Sequence, residues 1–238
     1  LSPLRESRSL TERYREEIQV ETLKRYYLIF EGTHTEVKYF EGVENYRKYL
    51  GINNMIETVI LHKEGEIESH SHPRRLLDLI NGKKVELKER GNYEEGIDEF
   101  VIIFDRDSFR KDDEYKEFVS LAELDNILAV TSPCFELWLI LHSANSVEEV
   151  IVDNEKQILK NERVSTHHTY TSQICSKLFG INPKSNLDFE IFKENLDIAI
   201  LQEKKLTREY LEYSTRIGSN IGELMELLRA DPREKFLE

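Results

Sequence analysis

The chain is poor in cysteine, tryptophan, methionine and proline, with two Cys, one Trp, two Met and five Pro in 238 residues. Cys134 and Cys175 have neither a CxxC partner nor a Cys/His cluster nearby, which excludes a disulfide framework and a structural zinc site. A reducing, cytoplasmic setting is expected. No apolar run approaches the ~20 residues needed to cross a bilayer, so no membrane span is expected, and no charged-then-apolar leader is read at the start. Positive charge is in the minority: 33 Lys and Arg against 46 Asp and Glu give a net charge of -13. That balance excludes non-specific coating of nucleic acid, which is driven by cations displacing counterions. It does not exclude an enzyme that gathers acids to hold metals. The basic stretches 5–15 and 83–90 read as solvated helix surface.

What is present is a 39% hydrophobic content with eleven Tyr and eleven Phe, enough for a real core. Tyr26 to Phe30, Ile56 to Leu61, Phe100 to Phe104 and Ile127 to Val130 are short apolar runs that read as buried strands. Between them, Thr35 to Leu50, Pro73 to Glu89 and Asp112 to Leu124 carry apolar residues at helical spacing. Strands separated by helices imply parallel neighbours. After Pro133 the pattern is helical with no further strand: Cys134 to His142, Val147 to Lys160, Tyr170 to Phe179, Leu187 to Lys205 and Ile217 to Arg229. The expected class is therefore α/β: a mostly parallel, Rossmann-like sheet of about four strands flanked by helices, with an α-helical C-terminal extension. Residues 1–24 read as a helical segment, 25–145 as the α/β core and 146–238 as the extension packed on it.

Two of the apolar runs end on acids. "RYYLIFEGTHTEVKYFEG" breaks at Glu31-Gly32, and "EFVIIFDRDSF" breaks at Asp105-Arg106-Asp107. Ligands of open parallel sheets sit at the carboxyl ends of strands, so Glu31, Asp105 and Asp107 should share one edge. Residues two apart in extended chain face the same side, about 6–7 Å apart, so both aspartates can address one site. Each acid alone could be a turn or helix-end residue. Together they would repel unless a hard cation such as Mg²⁺ or Mn²⁺ sat among them. In "TSPCFELWLILH" a helix is expected with Ser132 as N-cap and Pro133 in its first turn, leaving Glu136 among apolar neighbours. A carboxylate so placed needs a metal, a basic partner or a proton, or gains from the helix N-terminus. Trp138 reads as core. His34, in the turn after Glu31, could protonate a leaving oxygen or simply face solvent. His70, His72, His167 and His168 lack the partners a zinc reading requires.

The segments "LIFEGTHTEVKYFEG", "VIIFDRD" and "SPCFELWLILH", in this order, resemble the RloB-like family of bacterial proteins, whose core is related to the Toprim domain. The resemblance covers about Tyr26 to His142 and extends more weakly to "RIGSNIGELMELL". It implies that Glu31, Asp105 and Asp107 bind divalent metal for phosphodiester chemistry, with Glu36 of the Thr-Glu pair and Glu136 of the Phe-Glu-x-Trp segment in support. It further implies an effector nuclease acting on DNA or RNA, transfer RNA included, in defence against phage, beside an ATPase of the ABC type. A homo-oligomer is compatible with it. Asn220 is followed by Ile221 where the family commonly has proline, which leaves the role of that end open. Two other readings stand beside this one. "VIIFDRDS" also resembles the Asp-x-Asp strand of haloacid-dehalogenase-type phosphatases, although those carry it on the first strand. A topoisomerase is not expected, since it would need a separate tyrosine-bearing domain for which there is no room. A non-catalytic module regulating an ATPase would need no metal.

Overall fold

The run Tyr26 to Phe30 has no polar residue on either side, so both of its faces must be covered. The computed structural model, which describes residues 5–7, 23–62, 73–166, 168–185 and 187–233, covers them with helices on both sides of a six-stranded sheet. In chain order the elements are β1 (Arg5–Ser7), β2 (Lys24–Phe30), α1 (Thr35–Asn45), β3 (Ile56–His62), α2 (Pro73–Glu89), β4 (Glu99–Asp105), α3 (Asp112–Ala122), β5 (Ile127–Ser132), α4 (Glu136–Ile140), α5 (Val152–Lys160), α6 (Tyr170–Phe179), α7 (Leu196–Glu203), β6 (Gly218–Ser219) and α8 (Ile221–Arg229). The strand order is β1-β3-β2-β4-β5-β6. The inner four are parallel, and β1 and β6 are antiparallel edges.

Alternate residues of each inner strand feed two cores. Tyr26, Leu28 and Phe30 of β2, with Val101 and Ile103 of β4, pack under α1, α4 and the later helices. Tyr27 and Ile29, with Phe100, Ile102 and Phe104, pack under α2 and α3. The extension is therefore no appendage, because Trp138, Phe192 and Leu224 share one cluster with Phe30 and Phe40.

The chain first moves from β2 outward to β3, then back across the sheet to β4 and on to β5. Right-handed crossovers require the helices of these two directions to lie on opposite faces. Val37 and Phe40 of α1 accordingly join one core, while Ile80 of α2 and Phe118 of α3 join the other. Between adjacent β2 and β4, the outgoing connections thus diverge to opposite faces. This is the topological switch point, where such folds open a crevice.

The structure departs from the sequence reading in four places. Within 1–24, expected to be helical, Arg5–Ser7 is a strand on β3, while 8–22 lie outside the described residues. Gly218–Ser219 is a strand on β5, although none was expected after Pro133, and the final helix starts at Ile221 rather than Ile217. The expected helix Leu187 to Lys205 is helical in the α sense only from Leu196, preceded by the 3-10 turns Phe189–Ile191 and Lys193–Asn195. Val147–Ile151 is a π turn leading into α5. No described helix is long and apolar enough to cross a membrane.

Candidate active site

β2 and β4 end side by side, with Phe30 opposite Ile103. The Glu31 N–H donates to the Ile103 carbonyl (2.9 Å), which carries the pairing one residue further. Glu31 Oε2 then accepts from the Asp105 N–H (3.3 Å) and from Ser108 Oγ (2.5 Å). Glu31 therefore braces the end of β4 and the 3-10 turn Arg106–Ser108, and stands beside the nearby cavity rather than in its lining.

That cavity, of about 240 Å³, lies at the switch point and is lined by Glu36, Asp105, Asp107 and Glu136, together with Gly32 to Thr35, Cys134, Asn161, Thr169 and Lys184. Asp105 closes β4 opposite Thr131, whose hydroxyl donates to Asp105 Oδ1 (2.5 Å). Burial pushes the Asp105 carboxyl well above the usual range, the charges of Glu36, Asp107 and Glu31 add to this, and the Thr131 bond opposes it. Asp107 donates its N–H to the Pro133 carbonyl (3.1 Å), and its Oδ2 accepts from Asn161 Nδ2 (2.9 Å). Asp107 is exposed as a residue, yet protein encloses its carboxylate on most sides; this desolvation raises its pKa first, and Glu136 adds to it. The Asn161 bond and the charges of Lys184 and Arg106 act the other way.

Glu36 enters from the first turn of α1 and is buried. Its carboxylate folds back over Gly32 so closely that a Cβ there would lie 2.5 Å from Oε2. The glycine after Glu31 is thus a contact requirement, and no unusual φ enters into it. His34 is exposed at the α1 N-terminus without a side-chain cap bond and lines the cavity mouth.

The sequence expectation for Ser132 is corrected. It ends β5, and its hydroxyl donates to the carbonyls of Tyr213 (2.9 Å) and Arg216 (3.1 Å), so it caps no helix. The helix α4 starts later, at Glu136, which is buried at 3% exposure. Of the partners anticipated for that carboxylate the structure supplies a base: Lys184 Nζ lies 3.8 Å from Oε1. Trp138 is fully buried. His70, His72 and His167 lie outside the described residues, and His168 is placed beside Ser172 (3.4 Å).

Sequence reasoning missed Ser108, Thr131, Asn161 and Lys184. Asn161 carried a signal: it follows a helix ending in Lys160, and with φ 44 it takes the left-handed cap conformation that Asn tolerates. Its amide reaches Asp107 and its Oδ1 accepts the Thr171 N–H (3.1 Å), a link that no local pattern announces.

Among the described residues no three His, Cys, Asp or Glu side chains stand as a ready ligand set for one ion. The donors nevertheless suit a hard divalent cation. Four carboxylates face one cavity, burial and neighbouring charge raise the pKa of two of them, and Glu136 Oε1 is buried without a hydrogen bond.

Fold and site together define a class: an α/β protein with a mostly parallel sheet and an acidic cleft at its switch point. The chain belongs to the RloB-like protein family, whose match runs over residues 26–228, through the sheet and the helical extension alike. No curated protein and no solved structure matches it.

Proposed function

We propose that this protein is a divalent-metal-dependent nuclease with a Toprim-like core, cleaving phosphodiester bonds of DNA or RNA. One observation carries the reading: Glu36, Asp105, Asp107 and Glu136, from separate elements, line one cavity at the switch point, where burial first and neighbouring carboxylates after it raise the pKa of Asp105 and Asp107. Such crowding is costly for a structural role and is relieved by a bound cation. Asp105, Asp107, Glu36 and Glu136 would hold Mg²⁺ or Mn²⁺, which supplies Lewis acidity toward a phosphate and activates water. Thr131 and Asn161 fix the directions of the two aspartates, and Glu31 with Ser108 fixes the turn between them. His34 stands at the mouth, where it can give a proton to a leaving oxygen.

The family resemblance extends the proposal to an effector of anti-phage defence that works with an ABC-type ATPase. A second reading is favoured by the engagement of Glu31 with Ser108 and the Asp105 amide. On that reading the chain is a non-catalytic module of an ATPase complex. The test is incubation of the purified protein with Mg²⁺ or Mn²⁺ and a panel of duplex DNA, single-stranded DNA, transfer RNA and other RNA. Cleavage of at least one substrate, lost in Asp105→Asn and Asp107→Asn, is expected. Equal cleavage by both variants would refute the nuclease reading.

A further inference from the structure

An acidic cavity has to admit a polyanion, and the charges facing it decide how. Arg106 follows Asp105 directly, yet its guanidinium is committed elsewhere. It donates to the Phe109 carbonyl (3.0 Å), to Asp112 (3.3 Å) and to Ser214 (3.2 Å), and it lies 4.5 Å over the Tyr115 ring. Among the described lining residues, Lys184 is the lysine or arginine that remains.

Lys184 sits on a built turn between α6 and α7. Its N–H donates to Asn182 Oδ1 (3.1 Å), and the Ser185 N–H donates to the Asn182 carbonyl (3.1 Å). The Pro183 carbonyl accepts from Thr35 Oγ1 (3.2 Å), which fastens the turn to the first residue of α1, one position before Glu36. The side chain is 49% exposed while its neighbour Glu136 is 4% exposed, so the ammonium lies on the solvent side of the carboxylates. At 3.8 Å from Glu136 Oε1 it is within ionic range but beyond hydrogen-bond length. An ammonium carries three donors, and this loose pairing leaves them available to an incoming oxygen.

We propose that Lys184 is a phosphate-binding residue of the nucleic-acid substrate, placed by the helical extension over the acids of the sheet. The proposal rests on the nuclease reading and deepens it. Lysine acts on phosphate as a point charge, without the planar fork of arginine, so positive charge at this place is what recognition requires. The extension thereby supplies the cationic wall of a cavity whose acids come from the sheet and α1 and α4.

The test uses the full chain and Lys184→Met and Lys184→Arg variants. Binding of a fluorescent single-stranded oligonucleotide and of transfer RNA is followed by anisotropy at several KCl concentrations, with Ca²⁺ replacing Mg²⁺. Lys184→Met should weaken binding about tenfold, while Lys184→Arg retains it. One lost phosphate contact should also lower the slope of log K against log salt by about 0.7 for a single strand. If Lys184 only neutralises Glu136, Lys184→Met lowers the melting temperature and leaves the salt slope unchanged, which overturns the proposal. Absence of binding to either probe by the parent chain overturns it as well. The two readings separate cleanly: loss of binding in Lys184→Met without cleavage by any form keeps the phosphate contact and refutes the nuclease. Cleavage with unchanged KM in Lys184→Met does the reverse.

Discussion

Replacement of Gly32 by Ala tests whether the Glu36 carboxylate belongs to the chemistry of the cavity. The added Cβ would stand 2.5 Å from Glu36 Oε2 and 2.9 Å from Cδ and Oε1, where ordinary contact begins at 3.4 Å. The obstacle is the far end of a flexible side chain, so the carboxylate should withdraw by about 1 Å while the backbone stays in place. The fold should change by less than about 1 kcal/mol, since Gly32 needs no conformation that alanine resists and alanine restricts the unfolded chain. Displacement by about 1 Å within a reacting constellation can cost on the order of 10²-fold in rate. Gly42→Ala is the contrasting control. Its Cβ would collide with the Phe189 side chain in the core, with an overpacking cost of about 1–3 kcal/mol and no direct effect on the cavity. Urea denaturation, Mn²⁺ titration and cleavage assays on both variants separate the two effects. Parental metal affinity and cleavage in a stable Gly32→Ala protein would refute the reasoning.

Three further outcomes are expected. Asp105→Asn should melt no lower than the parent by calorimetry, because it removes a crowded carboxylate whose pKa the fold raises, while metal-dependent cleavage is lost. His142 is buried, sits 3.0 Å from both Tyr39 Oη and the Trp138 carbonyl, and is pushed down to about 4 by desolvation. Neutral His142 therefore contributes stability that is complete above the unfolded value near pH 6.5 and is lost as pH falls toward 4, by about 3 kcal/mol at most. Denaturant midpoints of the parent and His142→Gln should converge over that window, and parallel curves would contradict this account. Asn161→Gly keeps the left-handed cap but deletes the amide, so it should lose activity and about 1–3 kcal/mol for the unpaired Thr171 N–H. Asn161→Ala should lose activity as well and melt lower than Asn161→Gly, because it adds left-handed strain, and comparing the two melts checks the assignment.

The strands β2, β4 and β5 were legible because each carries a run that is apolar on both faces, a pattern with few alternatives to a covered parallel sheet. The endings of β2 and β4 on acids were legible for the same reason, since a carboxylate stops an apolar run visibly. β6 was not. Its two residues have no pattern, and it is held by Asn220, whose Oδ1 accepts the Val130 N–H (2.6 Å) and whose Nδ2 donates to the Leu128 carbonyl (2.8 Å). A side-chain amide thus continues the edge of β5. The same limit applies within the site. Glu31 was read at the sheet edge with Asp105 and Asp107, and it lies beside Asp105, but its bond to Ser108 in the following turn was not legible. Glu136 was read correctly as buried, but its partner Lys184 comes from a turn that only the packing of α6 and α7 brings near. Buried Glu203, which accepts from the Gly222 N–H (2.9 Å) and holds the start of α8, was likewise invisible.

The central claim is that the acids at the switch point form a divalent-metal site. Titration of Mn²⁺ into the purified protein, followed by the loss of the free-ion signal in electron paramagnetic resonance, tests it without any need for substrate or activator. One or two ions bound per chain, with binding abolished or weakened by at least about tenfold in folded Asp105→Asn, is the predicted result. No bound Mn²⁺ at millimolar concentration, or equal binding by the parent and Asp105→Asn, would contradict it.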